Sequence, residues 1–250
     1  GTTWWFKAIC DHPAIHAGNK ELHHFDGFRD RPFDDLDVRR YHRRLPRPEG
    51  AAIGEWTPRY MHDVWSMALL RRAAPNAKIL IMLRDPWARF GSGVLHEEAR
   101  LRRGVRRSAR ARVGRTIVSE SLSRSLYAPQ LTRVLDHFDR SQVLVLQYER
   151  CCLEPDRELR RTYRFLGVDP DHRPAELTAR INVTPASEAA VPEHLRASVL
   201  PILARDLEAL ASDVPGLDFD LWPSAIGMPT PAGAAGAPLS SVARGRARSR

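Results

Sequence analysis

The chain has 250 residues, enough for one sizeable core, and a formal net charge of +9 carried far more by arginine than by lysine. That balance points to anionic partners, whether a nucleotide, an anionic glycan, nucleic acid or a membrane surface, without choosing among them. No apolar run approaches the roughly 20 residues of a membrane span, no signal-peptide pattern stands in the sequence, and three cysteines, two of them adjacent (Cys151, Cys152), make neither a disulfide framework nor a zinc pattern. A reducing compartment, the cytoplasm, fits best.

Gly1, Thr2 and Thr3 ahead of the apolar run Trp4 to Ile9 predict a tight turn feeding a helix capped by Thr2 or Thr3. The free N–H groups of such an end are a ready anion site. Ile15 to Ala17 reads as a short strand. Lys20-Glu21-Leu22-His23-His24-Phe25-Asp26 then gathers two histidines, two carboxylates and a lysine, at a spacing that matches no common zinc signature. From Phe28 to Glu49 the chain is charged and punctuated by prolines, and reads as a surface excursion forming part of an acceptor cleft. Ala51 to Glu55 is a second short buried strand. Met61 to Ala74 has helical spacing, with Val64, Met67, Ala68 and Leu70 as its core face.

Ile79 to Leu83 is an unbroken apolar run, the pattern of a strand buried on both faces of a parallel sheet. It ends in Arg84-Asp85-Pro86, where proline suits the first turn of a helix and Asp85 its N-cap. Arg84 is thereby placed at the carboxyl end of a strand, where open α/β sheets bind ligands. Ser92 can turn back toward the same place, and an arginine fork with a hydroxyl suits a phosphate monoester. The same residues also fit a plain loop ion pair and a helix serine. The basic run Arg100 to Arg115 lacks interleaved aromatics and puts like charge on every face of a helix. It predicts a mobile, solvated loop able to close over an anionic ligand. Ile117 to Phe138 is amphipathic with a break at Pro129, Val143 to Gln147 is another strand, and Asp156 to Leu166 is a helix closed by Gly167. His194 to Leu210 is the last helix. From Pro223 the composition is too poor in apolar bulk to pack, predicting a domain over 1–222 and a disordered basic tail over 223–250.

In their order these segments resemble the sulfotransferases that use 3'-phosphoadenosine-5'-phosphosulfate (PAPS), especially bacterial and carbohydrate-modifying members. Leu83 to Pro86, Arg89 and Ser92 are similar to the family's 3'-phosphate segment, which implies Arg84 and Ser92 as cofactor-binding residues. Gly1, Thr2 and Thr3 look like the end of the Lys-x-Gly-Thr-Thr loop that wraps the phosphosulfate, with Trp4 near the adenine. The resemblance therefore implies a chain that begins inside this loop, with the loop lysine and the first strand of the sheet missing. Lys20 to Asp26 resembles the Lys-Glu-x-His-Phe-Phe-Asp segment of heparan sulfate enzymes, which implies Glu21 as the base, with Lys20 and His23 beside it. His24 stands where phenylalanine is usual, making His23 and His24 rival bases. Lys20 would favour the charged form of Glu21, so either burial offsets it or the base acts late.

Gly54 to Tyr60 looks like Gly-Glu-Lys-x-Pro-x-Tyr with Trp56 in place of the lysine. That loss of charge argues against a highly sulfated acceptor and leaves an aromatic to stack on a sugar or planar group. Arg124 to Tyr127 is similar to an Arg-Gly-x-Tyr segment near the cofactor, implicating Tyr127. The resemblance continues through Val143 to Pro170 and ends at Leu217 to Trp222. It implies an α/β, P-loop-like parallel sheet with helices on both faces, PAPS as co-substrate, and no metal. The expected partner is a small-molecule or carbohydrate acceptor, with no specific nucleic acid. The competing reading is an inactive basic module that holds anions or nucleic acid. A P-loop kinase is disfavoured, because Gly-Thr-Thr followed by tryptophans is not Gly-Lys-Ser/Thr.

Overall fold

The computed structural model describes residues 2–46, 48–101, 110–177, 191–214 and 216–225. Among these residues four strands form two parallel pairs. β1 (Ile15–Lys20) pairs with β2 (Ala52–Trp56), Ile15 opposite Ala52, with a register irregularity between Ala17 and Lys20. β3 (Ile79–Leu83) pairs with β4 (Val143–Gln147), Ile79 opposite Val143 and Leu83 opposite Gln147. Among the described residues no ladder joins one pair to the other.

Parallel neighbours need long crossovers, and helices supply them. α1 (Thr2–Cys10) precedes β1, α2 (Asp35–Arg44) lies between β1 and β2, and α3 (Arg59–His62) and α4 (Ser66–Ala73) follow β2. α5 (Pro86–Leu101), α6 (Arg110–Ser123) and α7 (Ala128–Leu135) separate β3 from β4. α8 (Tyr148–Leu153), α9 (Pro155–Leu166) and α10 (Glu193–Asp213) complete the chain. Because side chains alternate along a strand, Ile81, Leu83, Val143 and Val145 enter one core with Leu70 of α4, Leu131 of α7 and Leu207 of α10. Leu80, Met82, Leu144 and Leu146 enter the other, against Trp5 and Ile9 of α1 and Leu159 and Tyr163 of α9. Helices therefore cover both faces. No described helix is long and apolar enough to cross a membrane.

Several local expectations need correction. The surface excursion of Phe28 to Glu49 contains α2, whose start is a reciprocal box: Asp34 Oδ1 accepts the Asp37 N–H at 3.0 Å and Asp37 Oδ2 accepts the Asp34 N–H at 3.3 Å. Only Asp37 and Tyr41 of this helix are buried, so an apolar period was not there to read. The 61–74 stretch is two helices, because buried Asp63 accepts from Arg59 Nε at 2.8 Å and leaves the helical conformation. Val64 is then 64% exposed and Ala68 is exposed, while Met67 and Leu70 keep their core places. The break in 117–138 falls at 124–127; Pro129 sits in the first turn of α7, where its missing N–H costs nothing.

α1 already includes Thr2 and Thr3, so neither stands outside it as a cap. Helix occupies both ends of the Arg100 to Arg115 run; residues 102–109 lie outside the described residues. Past Trp222 the chain stays folded to Ala225, which is buried, while the tail from 226 also lies outside the described residues.

Candidate active site

Arg84 follows the last residue of β3, and Asp85 turns the chain into α5 as expected of an N-cap. Its Oδ1 accepts the Ala88 N–H at 2.8 Å and its Oδ2 the Ser224 N–H at 2.9 Å, while its own N–H donates to Glu149 Oε1 at 3.0 Å. Glu149 also accepts Trp222 Nε1–H at 2.7 Å, and its burial raises the carboxyl above the usual range. Both carboxylates are thus committed to holding the strand end.

Arg89 and Ser92 lie three residues apart on α5, on one helix face. Burial holds the Arg89 guanidinium below its usual pKa, and the neighbouring charges of Arg124 and Arg84 push the same way. Among the described residues neither Arg84 nor Arg89 has a carboxylate partner. Arg124 pairs with Glu120 at 2.8 Å, yet its Nε is buried without a hydrogen-bond acceptor. Three clustered guanidiniums facing one carboxylate suit an oxyanion with several acceptor oxygens. Tyr127, expected at the cofactor, is buried instead: its hydroxyl donates to the Arg84 carbonyl at 2.9 Å. It thereby holds the Arg84 backbone.

The second cluster is the turn after β1. Among the described residues Glu21 and His23 are the two non-glycine residues with left-handed backbone, φ 59° and 51°, each costing about 1–2 kcal/mol. The turn brings His23 Nε2 to 3.9 Å from Glu21 Oε2, and His23 Nδ1 to 2.9 Å from Asp26 Oδ2. A carboxylate, an imidazole and a second carboxylate are therefore in line, the arrangement in which a histidine is oriented by one acid and supports the other. The Glu21 side chain is 48% exposed, so the expected burial is absent. The His24 ring sits among Phe25, Phe28, Phe33 and Tyr41, and burial, then Arg44, lowers its pKa.

Arg59 links the clusters, being within electrostatic reach of Asp26 on one side and Glu120 on the other. A cavity of about 290 Å³ opens there, lined by Asp26, Arg59, Asp63 and Trp65 among others. Trp56, the aromatic substitute for a lysine, packs edge-on against Phe6 of α1 at 6.0 Å. Trp4 packs on Trp5 at 5.0 Å, and its enclosed Nε1–H has no acceptor. Thr3 is exposed on the first turn of α1; Gly1 and the side chains of Thr2 and Lys20 lie outside the described residues. Sequence reasoning missed Tyr60, Arg44 and Trp65, which hold the Glu21 turn, and Asp206, which holds Tyr127. Only Tyr60 stood in a segment already singled out.

The profile of the sulfotransferase family matches residues 12–172. Two mouse (Mus musculus) proteins are similar over 181 residues: heparan sulfate glucosamine 3-O-sulfotransferase 3A1 at 29% identity and 3B1 at 28%. Each alignment takes in 67% of this chain and 43% of the mouse protein, so the chain spans less than half the length of these relatives. A crystal structure of a sulfotransferase from Alicyclobacillus acidocaldarius superposes with a TM-score of 0.65 at 26% identity, covering 85% of this chain and 90% of that one.

Proposed function

The chain belongs to the sulfotransferase family, and we propose that it moves a sulfuryl group from PAPS to an acceptor hydroxyl. The observation that carries this reading is the Arg84, Arg89 and Arg124 cluster, in which, among the described residues, a desolvated guanidinium lacks a carboxylate and a buried Nε lacks an acceptor. An anion such as the 3'-phosphate supplies both. Arg84, Arg89 and Ser92 would hold that phosphate, Tyr127 would fix Arg84, and the α1 end with Gly1, Thr2, Thr3 and Trp4 would take the phosphosulfate side.

In the reaction the acceptor oxygen forms its bond to sulfur as the bond from sulfur to the leaving phosphate oxygen breaks. Glu21 takes the acceptor proton, with His23 and Asp26 behind it and Lys20 beside it. A base so placed contributes about 10²–10⁴ in rate. The mouse relatives are named for heparan sulfate glucosamine; here Trp56 replaces the lysine of that segment, which favours a less charged carbohydrate or small-molecule acceptor. Free Cys10, Cys151 and Cys152 support a reducing, cytoplasmic setting. A strand preceding Gly1 belongs to the same proposal, because among the described residues the two parallel pairs are not hydrogen-bonded to each other.

The test is release of 3',5'-phosphoadenosine from PAPS across a panel of sugar and phenol acceptors, with Glu21→Gln alongside. Acceptor-dependent release that Glu21→Gln abolishes is expected. No release with any acceptor, together with equal affinity for 3',5'-phosphoadenosine and AMP, would sink the assignment.

A further inference from the structure

The turn that joins Glu21 to His23 is not one its sequence favours. It has no glycine at either left-handed position, so something outside it must impose the shape. Its own backbone bond, from the Asp26 N–H to the His23 carbonyl, is long at 3.4 Å, and the shorter bonds come from distant elements. The Glu21 N–H donates to the Trp56 carbonyl at 2.9 Å, Arg44 Nη2 donates to the Leu22 carbonyl at 3.0 Å, and Trp65 Nε1–H donates to the Phe25 carbonyl at 3.0 Å. The shortest bond in the set is the His24 N–H to Tyr60 Oη, at 2.7 Å.

Tyr60 is 5% exposed, and its ring centroid lies 5.0 Å from that of Phe25 within the turn. Behind it stands Glu55 on β2. Thr57 Oγ1–H donates to Glu55 Oε2 at 2.9 Å, and the phenols of Tyr41 and Tyr60 face the carboxyl, whose enclosed Oε1 does not reach hydrogen-bond geometry with either. A phenol whose oxygen already accepts an N–H must direct its own proton elsewhere, and the Glu55 carboxyl and the Thr57 side chain are the acceptor groups that face it. Burial, then the Glu55 charge, raises the Tyr60 phenol far above its ordinary pKa, so it stays a neutral hydroxyl at any working pH.

We infer that Tyr60, backed by Glu55, is a positioning residue of the Glu21–His23 pair: its phenol oxygen fixes the left-handed turn that brings the two side chains together. The inference rests on the reading of Glu21 as base, and gives the Gly54–Tyr60 segment a role that the reaction scheme left open. Tyr60 touches no reacting atom in this account. It acts through the His24 backbone.

Tyr60→Phe keeps the ring and deletes the oxygen; Tyr41→Phe deletes the other phenol facing Glu55 and leaves the His24 bond in place. Amide hydrogen exchange and steady-state PAPS turnover are measured on both and on Glu21→Gln, with amides of β4 and α9 reporting any global opening. In Tyr60→Phe the His24 amide is expected to exchange about tenfold faster or more, and kcat to fall about 10- to 100-fold with the KM for PAPS unchanged, the scale of a small misplacement of a catalytic group. Tyr41→Phe is expected to leave both readouts alone. An unchanged His24 amide in Tyr60→Phe overturns the inference. So does unchanged kcat in Tyr60→Phe where Glu21→Gln is inactive. If Glu21→Gln turns over like the wild type, the base assignment is what has failed, and His24 exchange alone then decides whether Tyr60 holds the turn.

Discussion

The Tyr127 hydroxyl donates to the Arg84 carbonyl at 2.9 Å, while the Tyr127 N–H donates to Asp206 Oδ2 at 2.6 Å. A carboxylate on α10 thus reaches the end of β3 through one tyrosine. The proposed 3'-phosphate site should feel both links. Arg84→Ala removes a charge-assisted contact of about 1.5–3 kcal/mol and should weaken 3',5'-phosphoadenosine binding about 10- to 100-fold. Tyr127→Phe removes one neutral hydrogen bond, about 0.5–1.5 kcal/mol, and should cost about 2- to 10-fold. AMP, lacking the 3'-phosphate, should lose little in either variant by calorimetry. Equal losses for the two nucleotides would show that Arg84 does not read that phosphate.

Asp206 also accepts the Ala128 N–H at 3.1 Å and so caps the first turn of α7 from a distant helix. Asp206→Ala leaves two buried N–H groups without acceptors. Each unsatisfied donor costs about 1–3 kcal/mol, so urea denaturation should show a loss of at least the lower figure, with nucleotide affinity falling in step. A variant as stable as the wild type would mean that water replaces the carboxylate there.

What could be read from the sequence was local. The apolar run, Arg84, the Asp85 cap and Pro86 stand within eight residues, and each acts on its neighbours. Gly167 likewise closes α9 with φ 80°, the left-handed cap its position calls for. The resemblance singled out Glu21 and His23 but not their contact, because it depends on two left-handed residues without a glycine to signal them. Tyr60 bonds across 36 positions and Asp206 across 79, separations at which one sequence carries no pairing signal. α2 escaped for a different reason: its buried anchor is a carboxylate.

That anchor gives a pH dependence. Asp37 is almost wholly covered, held by Arg31 at 3.0 and 3.1 Å and by Arg40 at 2.8 Å. The Arg31 bond is the main reason its carboxyl lies well below the usual range. A depressed carboxyl adds stability that is present above its unfolded pKa, about 3.9, and is lost as the pH falls through the lower folded value. Asp37→Asn should therefore destabilise clearly at pH 7 and progressively less under acid. Denaturation curves that differ equally at both ends of that range would contradict the ion-pair account.

The last expectation concerns the strands that carry the Glu21 turn. At Gly18 an added Cβ would lie 2.3 Å from the Gly54 carbonyl oxygen and 2.9 Å from Leu45 Cδ2, whereas at Gly54 it would meet open space. The oxygen belongs to the β2 backbone and cannot swing aside, so Gly18→Ala must push β1 away from β2. Overpacking of this kind costs about 1–3 kcal/mol. The damage should extend to catalysis, because the Glu21 N–H bond to the Trp56 carbonyl closes the same pair of strands at its far end. Gly54→Ala should be neutral or slightly stabilising, since alanine loses less chain entropy than glycine in a strand. The two variants differ from wild type by the same methyl group, on strands that pair with each other. If thermal melts and turnover cannot tell Gly18→Ala from Gly54→Ala, the close approach of β1 to β2 is not what positions the turn.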